Sequence, residues 1–158
     1  MSADFYLGNP NLKKVGTEIQ FTKEQIQEYL KCKEDPVYFA MNYIKIISLD
    51  EGIVPFKMWD FQQELIESFH ENRFNIAKLP RQTGKSTTCV SYLLHYILFN
   101  DNVNVGILAN KLSTARDLLG RLQLAYEQLP LWLQQGIVVY NKGSMELENG
   151  SKILAAST

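Results

Sequence analysis

FNIAKLPRQTGKSTTCVSYLLHYILF, residues 74–99, is the stretch whose reading decides the fold. Phe74 to Leu79 is a short, mostly apolar run of the kind that makes a buried strand. Pro80-Arg81-Gln82-Thr83-Gly84-Lys85-Ser86-Thr87 follows as a tight polar loop. The residues after it carry apolar side chains at helical spacing. Strand, polar loop, Gly-Lys-Ser and helix is the arrangement that holds a nucleoside triphosphate.

The chemistry asks for those residue types in that order. A triphosphate is a dense polyanion, and a helix N-terminus offers unpaired N–H groups at the positive end of its dipole. Gly84 lets backbone amides close on phosphate oxygens without a Cβ in the way. Lys85 places a point charge at the β- and γ-phosphates, and the Ser86 hydroxyl is suited to ligating Mg²⁺. Gln82, Thr83 and Thr87 complete the cradle. The usual pattern carries a further glycine at the position held here by Leu79. The plain alternative is an ordinary turn with one exposed lysine.

Upstream, Trp59 to Phe69 reads as an amphipathic helix with Phe61, Leu65, Ile66 and Phe69 inward. Gln62 and Gln63 are its notable polar residues. An amide side chain donates and accepts at once, so it can read the exocyclic amine and a ring nitrogen of adenine together. Gln62 is the favoured adenine contact, against the alternative of two solvated glutamines. Further back, Thr22-Lys23-Glu24-Gln25 fits a capping box, and Asp35-Pro36 starts a second helix. Val37, Phe39, Ala40, Tyr43 and Ile44 would be its buried side. Ile44 to Leu49 fits either a short strand or the end of that helix. Residues 1–21, broken by Gly8, Pro10 and Gly16, read as a loose lead-in.

Downstream, Val103 to Ala109 reads as a second buried strand, with a helix from about Ser113 onward. Two strand–helix units in series imply parallel strands and an α/β fold. Asn110 and Lys111, at the carboxyl end of that strand, fall on the rim where ligands bind, or serve as a plain helix cap. Three short β runs close the chain, and Glu148-Asn149-Gly150 marks a hairpin turn.

Composition narrows the class. With 158 residues, 46% hydrophobic and 21% charged, the chain suits a globular domain. A net charge of −1 gives no global attraction to nucleic acid, so any such contact needs a local patch. Cys32 and Cys89 have no metal-ligand spacing and are expected to be reduced buried thiols in a cytosolic setting. The N-terminus lacks the pattern of a secretory signal, and no apolar run is long enough to span a membrane.

The stretches EYLKCKEDPVYFAMNYIKI, WDFQQELI, RQTGKSTT, VGILANK and NKGSMELENGSKILAAST together resemble the ATPase domain of the large terminase subunit of tailed bacteriophages. Terminases carry a deviant loop, Arg-Gln-x-Gly-Lys-Ser/Thr, which accounts for Leu79. The resemblance implies a P-loop NTPase of the additional-strand, RecA-like type, with a parallel-sheet core and an N-terminal helical extension. Residues 1–55 would be the lead-in and extension, and residues 56–158 the first part of the ATPase domain. It implies ATP and Mg²⁺ as cofactors, with Lys85 and Ser86 as their contacts. Gln62 falls at the family's adenine-reading glutamine, and Arg81 at a loop arginine acting on the γ-phosphate; the alternative for Arg81 is a surface ion pair.

The implied function is ATP-driven packaging of double-stranded viral DNA into a procapsid, in the host cytoplasm. The implied partners are the portal protein, a small terminase subunit, the DNA, and further copies of the chain in a ring. The family places an Asp-Glu pair at the end of a later strand, further past the loop lysine than Thr158, and a nuclease domain beyond it. The chain is therefore expected to be an N-terminal fragment with an incomplete sheet, unable to hydrolyse ATP alone and poorly soluble or partly molten. Two other readings are a superfamily 2 helicase-like ATPase, which also pairs an upstream glutamine with Gly-Lys-Ser, and a non-hydrolysing nucleotide-binding or assembly module.

Overall fold

The computed structural model describes residues 5–158. Local chemistry sets the first helices. Helix α1 (Lys23–Glu34) starts on a reciprocal capping box, in which Thr22 Oγ1 accepts from the Gln25 amide at 3.2 Å and Gln25 Oε1 accepts from the Thr22 amide at 3.0 Å. Helix α2 (Pro36–Tyr43) starts where Asp35 Oδ1 accepts the amides of Val37 and Tyr38, both at 2.9 Å, with Pro36 in the first turn. Ile44–Leu49 resolves as a strand, β1 (Lys45–Ser48), which turns at Gly52 and pairs antiparallel with β2 (Gly52–Pro55).

Helix α3 (Asp60–Glu71) and helix α4 (Lys85–Phe99) follow. Then come β3 (Asn104–Ala109), α5 (Leu112–Glu127), β4 (Ile137–Tyr140), β5 (Ser144–Leu147) and β6 (Lys152–Ser157). The last four strands form a mixed sheet in the order β3-β6-β5-β4. Only β3 and β6 run parallel; β6, β5 and β4 are antiparallel neighbours. The β5–β6 hairpin turns at Glu148-Asn149-Gly150, with the Gly150 amide donating to the Leu147 carbonyl at 3.0 Å and Gly150 at φ 81°.

The fold is thus α/β, but the expected parallel core is corrected to a mixed sheet. The strand expected at Phe74–Leu79 does not form. A strand persists only when its N–H and C=O groups find partners. Here β3 ends the sheet and pairs with β6 alone. Phe74 and Ile76 stand 84% and 101% exposed as a result, with the Arg73 guanidinium over the Phe74 ring. Ile76→Lys should therefore leave the melting temperature nearly unchanged, since a fully exposed side chain has no packing to lose. It should also reduce light scattering at high concentration. A fall in stability of core size would show that Ile76 is covered.

Helix α4 is buried on most of its circumference through Val90, Leu94, Ile97, Leu98 and Phe99, because α5 flanks it on one side and α2 and α3 on the other. Leu119 and Leu122 of α5 fill the space beneath the sheet, fully buried. One apolar cluster takes in Leu12, Phe39 and Ile44 together with Leu94, Ile107 and Ile153, so both predicted segments share a core. The described part of the lead-in is not loose. Leu12 is buried, and Gln134 clamps it by accepting the Lys13 amide at 3.0 Å and donating to the Asn11 carbonyl at 2.9 Å. Residues 1–4 lie outside the described part.

On α1 the apolar side chains are only partly covered: Ile26 and Leu30 are about half exposed, while Cys32 is fully buried. Burial pushes the Cys32 thiol up to about 12 and raises that of Cys89 as well, so both stay protonated and unreactive at neutral pH. Among the described residues no helix is long and apolar enough to cross a membrane.

Candidate phosphate-binding loop

The loop takes its shape from two residues with left-handed backbone. Gln82 has φ +60° and Gly84 has φ +72°. Gly84 is the N-cap of α4, and no side chain caps the amides that follow it. Lys85, Ser86 and Thr87 thus present the unpaired N–H groups and positive dipole end of a fifteen-residue helix. Thr88 and Ser91 turn their hydroxyls back onto the carbonyls of Gly84 (3.0 Å) and Thr87 (2.8 Å), inside the helix. The Ser86 hydroxyl makes no hydrogen bond among the described residues.

Lys85 Nζ is drawn into the loop, donating to the carbonyls of Leu79 (2.8 Å) and Pro80 (2.9 Å). Thr83 Oγ1 donates to the same Pro80 carbonyl at 3.0 Å. Two backbone oxygens therefore occupy the ammonium, as phosphate oxygens would. The donor set suits a triphosphate with its magnesium ion. Free helix amides and Lys85 would meet the phosphates, and Ser86 would meet the metal.

Gln62 lies beside the loop, though not as a free amide. Its side chain is 5% exposed. Gln62 Oε1 accepts from the Trp59 amide at 3.0 Å and closes the first turn of α3. Gln62 Nε2 donates to the Thr83 carbonyl at 3.1 Å. A Cβ on Gly84 would come within 2.5 Å of that nitrogen, so glycine is required here by the tether as well as by the backbone angle. Contact with adenine would require Gln62 to give up its bond to Thr83. Pattern reading missed this tether, because its acceptor, the Thr83 carbonyl, is brought beside Gln62 only by the fold.

Arg81 and Gln82 are exposed at the loop tip. Neither Arg81 nor Lys85 belongs to an ion pair among the described residues. Gln63 is half-buried on α3. Lys111 is the N-cap of α5, and its side chain makes no capping bond, so the expected helix cap at Asn110-Lys111 is a backbone feature only. The structure therefore joins Gln62 to Thr83 directly, and Thr83 and Lys85 through the shared Pro80 carbonyl. Ser86 and Thr87 sit on the same helical turn.

Compared with models of known protein families, the chain matches none.

Proposed function

We propose that the chain binds Mg·ATP on the loop formed by Gln82, Thr83, Gly84, Lys85, Ser86 and Thr87, as the nucleotide-binding part of a viral DNA-packaging ATPase of the large-terminase kind. The observation that carries this reading is the geometry of Lys85. It sits at the first position of a long helix that no side chain caps, behind a left-handed glycine, with its ammonium drawn into the loop by the Leu79 and Pro80 carbonyls. Arg81, exposed at the tip and in no ion pair among the described residues, would be the group that acts on the γ-phosphate. In this reading double-stranded DNA is the substrate polymer. The portal protein, a small terminase subunit and further copies of the chain in a ring are the partners, met in the host cytoplasm.

The test is saturable, magnesium-dependent binding of ATP by titration calorimetry, in which no detectable heat with ATP or tripolyphosphate would sink the proposal. Gln62→Ala divides the two roles open to that side chain. The tether to Thr83 makes Gln62 a loop-positioning residue, so the variant should lose affinity for ATP and tripolyphosphate alike, by about tenfold for one buried hydrogen bond. A loss confined to ATP would instead make Gln62 the adenine reader.

A further inference from the structure

Away from the loop, four cations gather around α5. Arg116 and Arg121 lie on α5, Lys142 in the turn between β4 and β5, and Lys45 at the start of β1. None joins an ion pair among the described residues. The four line two clefts that meet at Arg121 and Leu124. One, of about 720 Å³, runs past Arg116, Gly120 and Arg121 to Lys142. The other, of about 320 Å³, lies between β1, α4 and α5, where Lys45 and Arg121 face Thr87 and Ser91. The walls carry a single carboxylate, Asp117. This is the local positive patch that a chain of net charge −1 needs in order to meet a polyanion.

Two details separate this patch from a solvated helix face. Lys142 is held in place: Asn141 Oδ1 accepts the amides of Gly143 and Ser144, both at 2.9 Å, and Gln123 Nε2 ties the Asn141 carbonyl to α5 at 2.8 Å. Gly120 sits inside a sixteen-residue helix, where glycine is disfavoured, yet a Cβ there would meet nothing within 4 Å. Nothing within the chain demands glycine at that point. A bare backbone on the floor of a basic cleft permits close approach of a ligand.

We propose that the clefts along α5 grip the phosphate backbone of a nucleic acid, with Arg116, Arg121, Lys142 and Lys45 as the phosphate contacts. Arg116 and Arg121 line the same cleft, so one strand can meet both. Because Thr87 lines the same cleft as Arg121, the polymer track and the phosphate loop share the first turns of α4. The inference deepens the reading above by naming the surface on which the same chain holds its polymer.

The experiment measures anisotropy of a short labelled duplex, and of a single strand of equal length, across a salt series. A fluorescent ATP analogue is titrated in parallel. Four contacts predict a log–log salt slope of about −3.6 for duplex. The triple variant Arg116→Glu, Arg121→Glu, Lys142→Glu should bring the slope to about −1 and weaken binding about a hundredfold at 0.1 M salt. Gly120→Leu, which keeps every charge, should weaken binding without lowering the melting temperature. Reversal of Lys14, Lys23 and Lys33 on the far elements should change little. The duplex or single-strand arm with the tighter binding identifies the polymer. The inference fails if the triple variant or Gly120→Leu binds like wild type, if the distant reversals cost as much, or if polyglutamate displaces duplex as well as unlabelled duplex does. Nucleotide binding without nucleic-acid binding by the wild type overturns the surface and leaves the loop standing. Nucleic-acid binding without nucleotide binding does the reverse.

Discussion

Lys85→Ala is expected to lose affinity for Mg·ATP and for tripolyphosphate by about a hundredfold, with the fold intact by circular dichroism. The size follows from the two bonds that the ammonium makes with the Leu79 and Pro80 carbonyls, at 2.8 and 2.9 Å. On the proposed reading these would be exchanged for charge-assisted bonds to phosphate. A hydrogen bond to a charged group is worth about 1.5–3 kcal/mol, and about 1.4 kcal/mol is a factor of ten in affinity. The core should tolerate the change, because the buried side chains of α4 begin at Thr88 and lie deeper along the helix. Lys85→Arg keeps the charge but brings a planar fork in place of a compact ammonium, so only part of the affinity should return. Wild-type affinity in Lys85→Ala would remove the loop as the triphosphate site, whatever else binds nucleotide.

The same loop shows where sequence reading works and where it stops. Features set within a few residues were legible. The capping box of Thr22 and Gln25, the Asp35-Pro36 start, the Gly150 turn and the helix after Gly84 each follow from local hydrogen bonding or backbone angle. Features set across the chain were not. Phe74–Leu79 has the composition of a strand, but strand formation depends on a neighbour that the residues themselves do not specify. The lead-in looked loose because Gln134, its clamp, lies more than a hundred residues away in sequence. Gln62 was read from the sequence as an adenine contact. Its work as a tether needed the position of the Thr83 carbonyl. The cations around α5 left no periodic signature, since Lys45 and Lys142 reach the clefts from other elements.

Acid should destabilise the protein through one buried histidine on α4. His95 is 2% exposed, packed among Phe39, Tyr92 and Phe99, with the His70 ring at 6.1 Å. Its Nε2–H donates to the Cys32 carbonyl at 2.8 Å, and Nδ1 has no partner. Burial holds its pKa down at about 4, against an ordinary 6.5, and nearby His70 adds to the lowering. The Cys32 carbonyl and, more weakly, the Lys33 backbone and Asp35 pull the other way. The folded state thus refuses a proton that the unfolded chain accepts. Stability is therefore full above pH 6.5 and is lost as pH falls toward 4. At about 1.4 kcal/mol per pH unit, the loss between pH 7 and pH 5 is about 2 kcal/mol. That window stays above the carboxylates, among them Glu28, whose pKa is lowered by hydrogen bonds from Tyr38 and Tyr43 and whose contribution fades at lower pH. His95→Phe orphans the Cys32 carbonyl and so lowers stability at every pH, which makes the slope the quantity to compare. Urea unfolding at pH 7 and pH 5 should show the slope reduced in His95→Phe, and an equal slope would assign the acid sensitivity elsewhere. Because His95 sits on the helix whose first turn forms the phosphate loop, a bound nucleotide should shield it. At about a hundred times its dissociation constant a ligand adds about 2.7 kcal/mol, enough to offset the loss at pH 5.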